Sequence, residues 1–381
     1  MHIACIHQGY ELYGSDRCFA ETVATLRALA PSARITVVLP RPGPIVGLLE
    51  EVADAIVYEP LWILRRRGLA RLATLGLLRL PMALGRALRR LGECDLVYVN
   101  TTVVADYLLA SRLLPGRTLL HVHEIPEGFV RTVLRGLIRW SGAEVIFNSK
   151  ATRDAFALPA GMRSRVIYNG IDGPPVPEPV SYDGRRPLRL LMIGRLSRIK
   201  GQEVLLDALG RLTPALRARI ELRIVGSAFE DPERESALAE RVANLDGVTL
   251  QPFDPEPAAH YRWADIVVVP SRLPESLGRV AIEAMAYGRP PVVSAIGGLV
   301  EVVEAGRTGW TVKPDDAAAL AEILGQIIAD PVPLNAFANA GRQRFEALFS
   351  EAAVSEAFEA LLKPRLATPR EAARLTAVVH P

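Results

Sequence analysis

Short runs of β-branched and aliphatic residues alternate with longer amphipathic stretches along most of the chain. The runs are too continuous for a sheet with one solvated face, so they predict parallel strands covered by helices on both sides. In the first half the predicted strands are His2–His7, Ile35–Leu39, Ala55–Tyr58, Asp95–Asn100, Thr118–His123, Glu144–Asn148 and Val166–Asn169, with helices such as Asp16–Leu29, Val103–Leu113 and Phe129–Trp140 between them. This pattern is typical of a doubly wound α/β domain.

A proline-rich stretch interrupts the alternation. Four prolines fall within residues 173–180, which disfavours both helix and central strand, so we expect a linker over 173–187. The alternation then resumes, with predicted strands at Leu188–Ile193, Glu221–Val225, Thr249–Phe253, Asp265–Pro270 and Pro291–Ser294, and helical segments from Asp315 to about Leu362. We therefore predict two Rossmann-like doubly wound domains, 1–172 and 188–350, facing a cleft, with C-terminal helices in 351–381 packing back towards the first domain.

Length and composition exclude several classes of protein. The 381 residues suit two domains, and the apolar fraction of 50% with 23% charged residues is that of a globular chain. Three cysteines without metal-ligand spacing argue against a disulfide framework and for a reducing compartment. We find neither a secretory signal nor an apolar run of about 18 residues, so secreted, fibrous and integral-membrane classes are excluded.

Positive charge is concentrated in the first half of the chain. Residues 1–170 hold 21 basic and 14 acidic residues, which favours an anionic partner there. The segment Pro60–Gly92 holds eight arginines, no acid and many leucines. This composition predicts either a solvated helical hairpin or an element lying on an anionic membrane surface. We place the membrane contact at Trp62, Arg65, Arg66, Arg67 and Arg71.

The strongest chemical motif runs from Pro270 to Ala286. A buried strand leads into a loop with Glu275, and a helix beginning near Arg279 carries Glu283. The backbone amides of Ser276, Leu277 and Gly278 precede that helix and suit a phosphate group. Carboxylates bridge vicinal hydroxyls well, so Glu283 suits a ribose and Glu275 a sugar ring. An isolated surface glutamate is usually only solvated, and the strand–loop–helix context argues otherwise here.

A second cluster follows the strand that ends at Ile193. Arg195 and Lys200 flank the turn between Gly194 and a helix that begins near Gly201. Two cations at the carboxyl end of a strand predict a clamp for a diphosphate. Gly226 follows the next strand and is compatible with close approach of a nucleotide base.

These motifs resemble those of family 4 glycosyltransferases, which have the GT-B fold, use nucleotide-sugar donors and retain anomeric configuration. The family's two glutamates separated by seven residues correspond to Glu275 and Glu283, and its Gly-Arg-Leu…Lys-Gly clamp to Gly194 through Gly201. Its Asn-Gly-Val-Asp appears as Asn169-Gly170-Ile171-Asp172, and Gly297-Gly298…Glu301 also fits. The resemblance covers nearly the whole chain.

The resemblance implies roles for individual residues. Glu283 would bind the ribose, Glu275 the transferred sugar, and Arg195 and Lys200 the diphosphate. The family's glycine loop after the first strand corresponds to Gly14 and Ser15, with an aspartate at position 16 where the family has a longer acid. His123 corresponds to the family's histidine that meets the donor sugar.

The implied activity is transfer of a hexose from a UDP- or GDP-sugar to a glycan or polyprenyl-linked acceptor in cell-surface polysaccharide or glycolipid synthesis. We expect retention on one face of the sugar, because no pair of carboxylates for double displacement is evident in the first domain. No Asp-x-Asp motif is present, so we expect no metal and no cofactor. The expected location is the cytoplasmic face of a membrane, with no nucleic-acid partner.

Other functions compete with this interpretation. An NAD(P)-dependent oxidoreductase is disfavoured because the first strand–helix turn lacks Gly-x-Gly-x-x-Gly. A GT-B nucleotide-sugar epimerase and a catalytically silent nucleotide-sugar-binding protein stay open. A phosphorylase would need a lysine context for its cofactor that this chain lacks.

Overall fold

The computed structural model describes residues 1–12, 14–64, 77–228 and 231–366. The chain divides into two compact units. The first contains residues 1–170 and the residues from 351 onward, and the second contains Ile171–Ser350. The proline-rich stretch 173–187 belongs to the second unit, where Val180 and Tyr182 are buried in the core.

The first unit is built on a parallel sheet. Its described strands are β1 (His2–His7), β2 (Arg34–Leu39), β3 (Ala55–Tyr58), β4 (Leu96–Asn100), β5 (Thr118–Val122), β6 (Glu144–Phe147) and β7 (Ser164–Val166). Its helices among them are α1 (Gly14–Leu29), α2 (Val46–Leu49), α3 (Leu77–Glu93), α4 (Ala105–Ser111), α5 (Gly128–Ser141) and α6 (Lys150–Phe156). The spatial order of the strands is β3-β2-β1-β4-β5-β6-β7.

The second unit repeats this architecture with another parallel sheet. Its described strands are β8 (Leu188–Ile193), β9 (Ile220–Val225), β10 (Val248–Gln251), β11 (Ile266–Val269), β12 (Pro291–Ser294) and β13 (Trp310–Val312), in the order β10-β9-β8-β11-β12-β13. Its described helices are α7 (Gln202–Arg211), α8 (Pro214–Arg217), α9 (Pro232–Ala243), α10 (Ala258–Trp263), α11 (Arg279–Ala286), α12 (Leu299–Val302), α13 (Ala317–Ala329) and α14 (Pro333–Leu348).

The last helix, α15 (Glu351–Leu366), packs on the first unit. It buries Val354, Phe358, Leu361 and Leu362 in the same core cluster as residues of α1 and β1. At its end the Arg365 guanidinium donates to a carboxylate oxygen of Glu144 at 2.5 Å. The helix therefore completes the first unit although the whole second unit precedes it in sequence.

The hydrophobic pattern predicted most strand positions to within one or two residues. All residues of β4, β5 and β6 are buried, as expected for strands covered on both faces. The prediction for β7 was wrong in position, because the structure pairs Ser164–Val166 with β6 rather than Val166–Asn169. Strand β13 was missed, since three residues are too few to show an alternation.

The strand orders place a topological switch in each sheet, between β1 and β4 and between β8 and β11. Open α/β sheets bind ligands at the carboxyl ends of the strands beside such a switch. Among the described residues no single helix is long and apolar enough to cross a bilayer, and α13 with α14 passes that test only as a pair bent by 111°.

Candidate active site

The loop that carries Glu275 connects β11 to α11 in the second unit. Gly278 takes a left-handed conformation (φ 99°) immediately before α11 begins. The N–H of Gly298 donates to the carbonyl of Glu275 at 2.8 Å. A Cβ on Gly298 would lie 2.5 Å from the Cα of Leu277, so the loop packs directly on the Gly297-Gly298 backbone. This close approach fixes the position of Glu275.

Each of the two predicted glutamates has its own cation. The Lys200 ammonium lies 2.9 Å from Oε1 of Glu275, and the hydroxyl of Ser271 donates to the same oxygen. Nε of Arg279 donates to Oε1 of Glu283 at 2.7 Å. Each of the two carboxylates beside the predicted phosphate site is thus paired with a cation, which weakens their repulsion of a bound anion.

Glu283 is also held by a buried phenol. The hydroxyl of Tyr261 donates to Oε2 of Glu283 at 2.5 Å, and the Tyr261 ring stacks on Tyr287 at 5.1 Å between centroids. Burial and the neighbouring Glu283 charge raise the pKa of Tyr261 well above its ordinary value, so the phenol stays a hydrogen-bond donor. The carboxylate orientation is therefore fixed on two sides, by Tyr261 and Arg279.

The other predicted residues of the second unit lie at the same edge of its sheet. Arg195 is exposed directly after β8, and its carbonyl accepts a hydrogen bond from the side chain of Gln202 at 3.1 Å. Gly226 follows β9, and its Cα faces the carbonyl of Gly194 so closely that a Cβ would lie 2.0 Å from that oxygen. The side chain of Leu277 is buried, so only its backbone can face a ligand.

In the first unit, Gly14 and Ser15 are exposed in the first turn of α1. The next residue, Asp16, turns inward and is buried. Its Oδ1 lies 2.8 Å from Nε2 of His7, the last residue of β1. Asp16 therefore lies in the interior of the first unit. The resemblance had placed the acidic residue at this position in the loop after the first strand.

His123 joins a buried polar network at the switch of the first sheet. Its Nε2 lies 2.7 Å from Oδ1 of Asn100, the last residue of β4. The amide Nδ2 of Asn100 lies 3.0 Å from Nδ1 of His7. Tyr98 donates to Oδ1 of Asn100 at 3.0 Å and lies 2.7 Å from Nδ1 of His121. The network thus connects the ends of three strands.

Burial keeps His123 and His121 uncharged. It lowers the pKa of His123 to about 3, with a smaller contribution from His7, and lowers the pKa of His121 well below its ordinary value. Burial also raises the pKa of Glu124 to about 7, although hydrogen bonds from the backbone amides of His123 and Thr102 lower that pKa. His123 is thus neutral across the physiological range and is not a ready source of a proton.

The predicted membrane contact is described only in part. Arg65, Arg66, Arg67 and Arg71 lie outside the described residues. Trp62 is half-buried, and its backbone N–H donates to Oδ2 of Asp106 at 3.1 Å, which ties this part of the segment to α4. Two further arginines of the segment bond within the unit, Arg86 to the carbonyl of Pro60 at 2.8 Å and Arg90 to Glu59 at 3.1 Å.

Sequence analysis missed five side chains that hold the predicted ones: Ser271, Arg279, Tyr261, His7 and Asn100. The last two had a usable signal, because each is the final residue of a strand beside the switch. Arg279 is one helical turn before Glu283, a spacing that favours pairing. In the part of the chain that the structure describes, no group of three His, Cys, Asp or Glu side chains could hold a metal ion.

Comparisons with known proteins agree with this geometry. Residues 184–344 match the family model of glycosyl transferases group 1. The D-inositol 3-phosphate glycosyltransferase 1 of Catenulispora acidiphila is 39% identical over 156 residues, which are 39% of this chain and 37% of that protein. The D-inositol 3-phosphate glycosyltransferase of Thermobispora bispora is 32% identical over 281 residues, 71% of this chain and 57% of that protein. The chain thus spans 37% and 57% of the length of these relatives.

Solved structures resemble the whole chain. Anabaena Alr3699/HepE, in complex with UDP and glucose, has a TM-score of 0.76 at 26% identity and covers 95% of this chain and 99% of its own. A glycosyltransferase from Rickettsia africae ESF-5 has a TM-score of 0.74 at 19% identity, covers 96% and 98%, and shows the fold alone. The predicted GT-B fold is confirmed, and most of the second unit matches the group 1 glycosyltransferase model.

Proposed function

We propose that this chain is a retaining family 4 glycosyltransferase that moves a hexose from a nucleotide sugar to a glycan or polyprenyl-linked acceptor. The observation that carries the proposal is the pair of cation-bound carboxylates, Lys200–Glu275 and Arg279–Glu283, at the strand ends of a segment that matches group 1 glycosyltransferases. The pathway would be the synthesis of cell-surface polysaccharide or glycolipid.

The proposed chemistry needs charge stabilisation more than proton transfer by the protein. The bond from the anomeric carbon to the diphosphate breaks while a bond to the acceptor oxygen forms on the same face of the sugar. The acceptor hydroxyl proton goes to the departing diphosphate. Arg195, Lys200 and the amides before α11 would stabilise the charge that builds on the phosphate, and this requires neither metal nor cofactor.

For the donor we propose a UDP-sugar. The support is the likeness to Anabaena Alr3699/HepE, which was solved with UDP-glucose at 25% identity to this chain. Calorimetry with UDP, GDP and ADP, followed by the matching nucleotide sugars, tests this choice. We expect UDP to bind at least tenfold more tightly than GDP or ADP, and a preference for GDP would contradict it.

One variant pair tests the site itself. We expect Lys200→Ala to weaken nucleoside diphosphate binding by about 1.5–3 kcal/mol, the usual value of a charge-assisted contact. Lys313→Ala removes another, exposed lysine of the same unit and should leave binding unchanged. Slow hydrolysis of the nucleotide sugar by the wild type distinguishes a transferase from a protein that only binds the nucleotide sugar, since only a catalytically competent site transfers the sugar to water. Wild-type affinity in Lys200→Ala would contradict the assignment.

We also propose that the first unit works at the cytoplasmic face of a membrane. Helix α5 supports this, because it exposes 79% of Phe129 and 56% of Trp140 and contains three arginines and no acid. On α3, Leu78 and Met82 are exposed as well. Apolar side chains among arginines suit shallow insertion into an anionic surface.

Liposome co-sedimentation tests the membrane proposal. The wild type should sediment with anionic liposomes at low salt and be released as salt screens the charges. The double variant Phe129→Ser with Trp140→Ser, and separately the change of Arg65, Arg66 and Arg67 to serine, should reduce binding. The control Val332→Ser alters an equally exposed apolar residue of the second unit and should not. A wild type that stays in the supernatant would overturn the proposal.

A further inference from the structure

The loop between β8 and α7, residues 194–201, carries the two predicted diphosphate cations, and we call it the clamp loop. Its backbone is held from two neighbouring strand ends. The N–H of Leu196 donates to the carbonyl of Ser227, beyond the end of β9, at 3.1 Å. The N–H of Arg272, beyond the end of β11, donates to the carbonyl of Ile199 at 2.7 Å. The surrounding strand ends therefore set the position of the clamp loop.

The start of α7 is fixed in the same way. Gly201 has a left-handed φ of 76°, and a Cβ at this residue would lie 2.0 Å from the carbonyl oxygen of Pro270. Because only glycine fits there, α7 begins directly against the backbone that follows β11. This start places Gln202, the first residue of α7, in the interior of the second unit, where it is 2% exposed.

The buried Gln202 side chain reaches back to the clamp loop. Its Nε2 donates to the carbonyl of Arg195 at 3.1 Å. A carbonyl can only accept, so the NH2 group must face Arg195 and Oε1 is turned away from it. Among the described residues this buried Oε1 has no hydrogen-bond partner. A buried acceptor without a partner costs free energy, so stability alone does not explain an amide at this place.

The contact bears on the direction of the Arg195 side chain. The peptide group that follows Arg195 is held at both ends, its carbonyl by Gln202 and its N–H by the carbonyl beyond β9. The preceding peptide group is held as well, because a Cβ on Gly226 would lie 2.0 Å from the carbonyl oxygen of Gly194. The Cα of Arg195 lies between these two fixed peptide groups, which sets the direction in which its exposed side chain leaves the backbone.

We propose that Gln202 is a positioning residue that fixes the backbone of Arg195, so that the guanidinium is directed at the diphosphate of the donor. A long, exposed side chain loses conformational freedom when it binds a ligand, and a backbone fixed beforehand reduces that loss. The contact between Arg195 and a diphosphate rests on the proposed function, whereas the contact between Gln202 and Arg195 does not.

An isosteric apolar substitution tests the proposal. Gln202→Met keeps the length of the side chain and removes both the NH2 donor and the unpaired oxygen. We expect its melting temperature to equal or exceed that of the wild type, while its UDP affinity, measured by calorimetry, falls about threefold to tenfold, the value of one ordinary hydrogen bond. Wild-type UDP affinity in folded Gln202→Met, whatever its melting temperature, would overturn the proposal.

The control for this variant is Gln326→Met on α13. It removes an exposed amide of the same unit, whose Nε2 donates to Glu322 at 3.2 Å outside the clamp loop. UDP affinity should stay at the wild-type value in this control. In Gln202→Met, by contrast, kcat for transfer should fall along with UDP affinity, because charge on the diphosphate grows as the bond to the sugar breaks. An unchanged kcat would overturn the positioning role in the reaction.

A double-mutant cycle shows whether Gln202 acts through Arg195. The Arg195→Ala protein has no guanidinium to direct, so adding Gln202→Met should weaken its UDP binding no further. In the wild-type background the same change should have its full threefold to tenfold effect. Equal effects in the two backgrounds would mean that Gln202 affects the site independently of Arg195, and would overturn the proposal.

Limited digestion with trypsin reports on the contact without a ligand. Trypsin cleaves after arginine, and cleavage of a folded chain requires the local backbone to leave its fixed conformation. Cleavage after Arg195, located by mass spectrometry, should be faster in Gln202→Met than in the wild type or in Gln326→Met. Cleavage at the wild-type rate would overturn the inferred hold on the Arg195 backbone.

These outcomes distinguish the inference from the proposed function. If the wild type binds neither UDP nor another nucleoside diphosphate, the proposed function fails and the positioning role fails with it, although faster digestion of Gln202→Met would still show the contact. If the wild type binds UDP, and Gln202→Met binds UDP and is digested as the wild type is, the inference about Gln202 fails alone.

Discussion

At the residue scale, the two glutamates of the second unit differ in what holds them. Glu275 lies on a loop and contacts Lys200 and Ser271. Glu283 lies on α11 and contacts Arg279 and Tyr261. Glu283, whose two carboxylate oxygens are both held in place, suits the nucleoside part of a donor. Glu275, which lies on the loop, suits the sugar part, which reacts. We therefore expect the two to contribute to different steps.

Glutamine substitutions separate these contributions. Glu283→Gln should weaken free nucleoside diphosphate and nucleotide sugar alike, by about 1.5–3 kcal/mol, because the ribose hydroxyls lose a charged acceptor. Glu275→Gln should leave the free nucleotide bound as in the wild type and reduce turnover. Calorimetry with UDP and steady-state kinetics measure the two effects, and equal losses of UDP affinity would refute the division.

His123 makes the stability of the first unit depend on pH. Its folded pKa of about 3 lies below the ordinary 6.5, so below pH 6.5 the unfolded chain binds a proton that the folded chain does not. The free energy of unfolding therefore falls as pH falls from 6.5 towards 3. His121 acts in the same direction, and Glu124, whose pKa is raised to about 7, acts in the opposite one.

The variant His123→Gln removes this titration and keeps a donor for Asn100. Between pH 6.5 and 4.5 it should lose about 2 kcal/mol less of its unfolding free energy than the wild type loses, because about 1.4 kcal/mol per pH unit follows from one unbound proton. Urea unfolding at the two pH values gives both losses. Equal losses of unfolding free energy in the two proteins would show that His123 binds a proton in the folded protein within this pH range.

At the element scale, the strand, loop and helix around Glu275 could be predicted from the sequence. Each of them follows from a pattern of residues that are close together in the chain. The sequence could not predict that Lys200 contacts Glu275, since that depends on β8 and β11 being neighbours in the sheet. The same holds for His7 and Asn100, which are 93 residues apart and meet because β1 pairs with β4 in register. Secondary structure can therefore be predicted from residues that are close in sequence, whereas the contact partners of site residues depend on which strands are neighbours in the sheet.

The contact between the Glu275 loop and Gly298 provides a test at this scale. Gly298 has an ordinary φ of −68°, so its backbone tolerates alanine, and the atoms nearest to the added Cβ belong to Leu277 and Ser276, at 2.5 Å to 2.9 Å. We expect Gly298→Ala to destabilise by about 1–3 kcal/mol through overpacking and to weaken nucleotide-sugar binding.

The control for that variant is Gly210→Ala in α7, where a Cβ meets no atom within 4 Å. That change should stabilise the protein by about 0.5–1 kcal/mol, because glycine is a poor helix residue. Thermal unfolding and calorimetry measure both variants. Unchanged nucleotide-sugar affinity in Gly298→Ala would show that the loop adjusts without moving Glu275.

At the scale of the whole molecule, α15 ties the last described part of the chain to the first unit. Phe358 is 1% exposed within that core, and its neighbour Glu359 points to solvent. Phe358→Ala should destabilise the first unit by about 3–5 kcal/mol through the cavity it leaves. Glu359→Ala should change stability by less than about 0.5 kcal/mol.

Hydrogen exchange locates the effect of these variants. In Phe358→Ala, amides of α1 and β1 should exchange faster, and those of β8 and β11 should keep their wild-type rates. The reason is that Phe358 belongs to the core cluster of the first unit only. Equal acceleration in both sheets would mean that the two units unfold together.

The position of α15 also determines the order in which the chain matures during synthesis. The ribosome makes residues 1–170 first, yet their core waits for a helix that is translated after residue 350. The second unit is continuous in sequence and leaves the exit tunnel complete before α15 does, so we expect it to finish folding first. A nascent chain released before α15 carries a complete second unit and a first unit that lacks part of its core. We therefore expect premature termination to leave apolar surface of the first unit exposed, which favours proteolysis of the product.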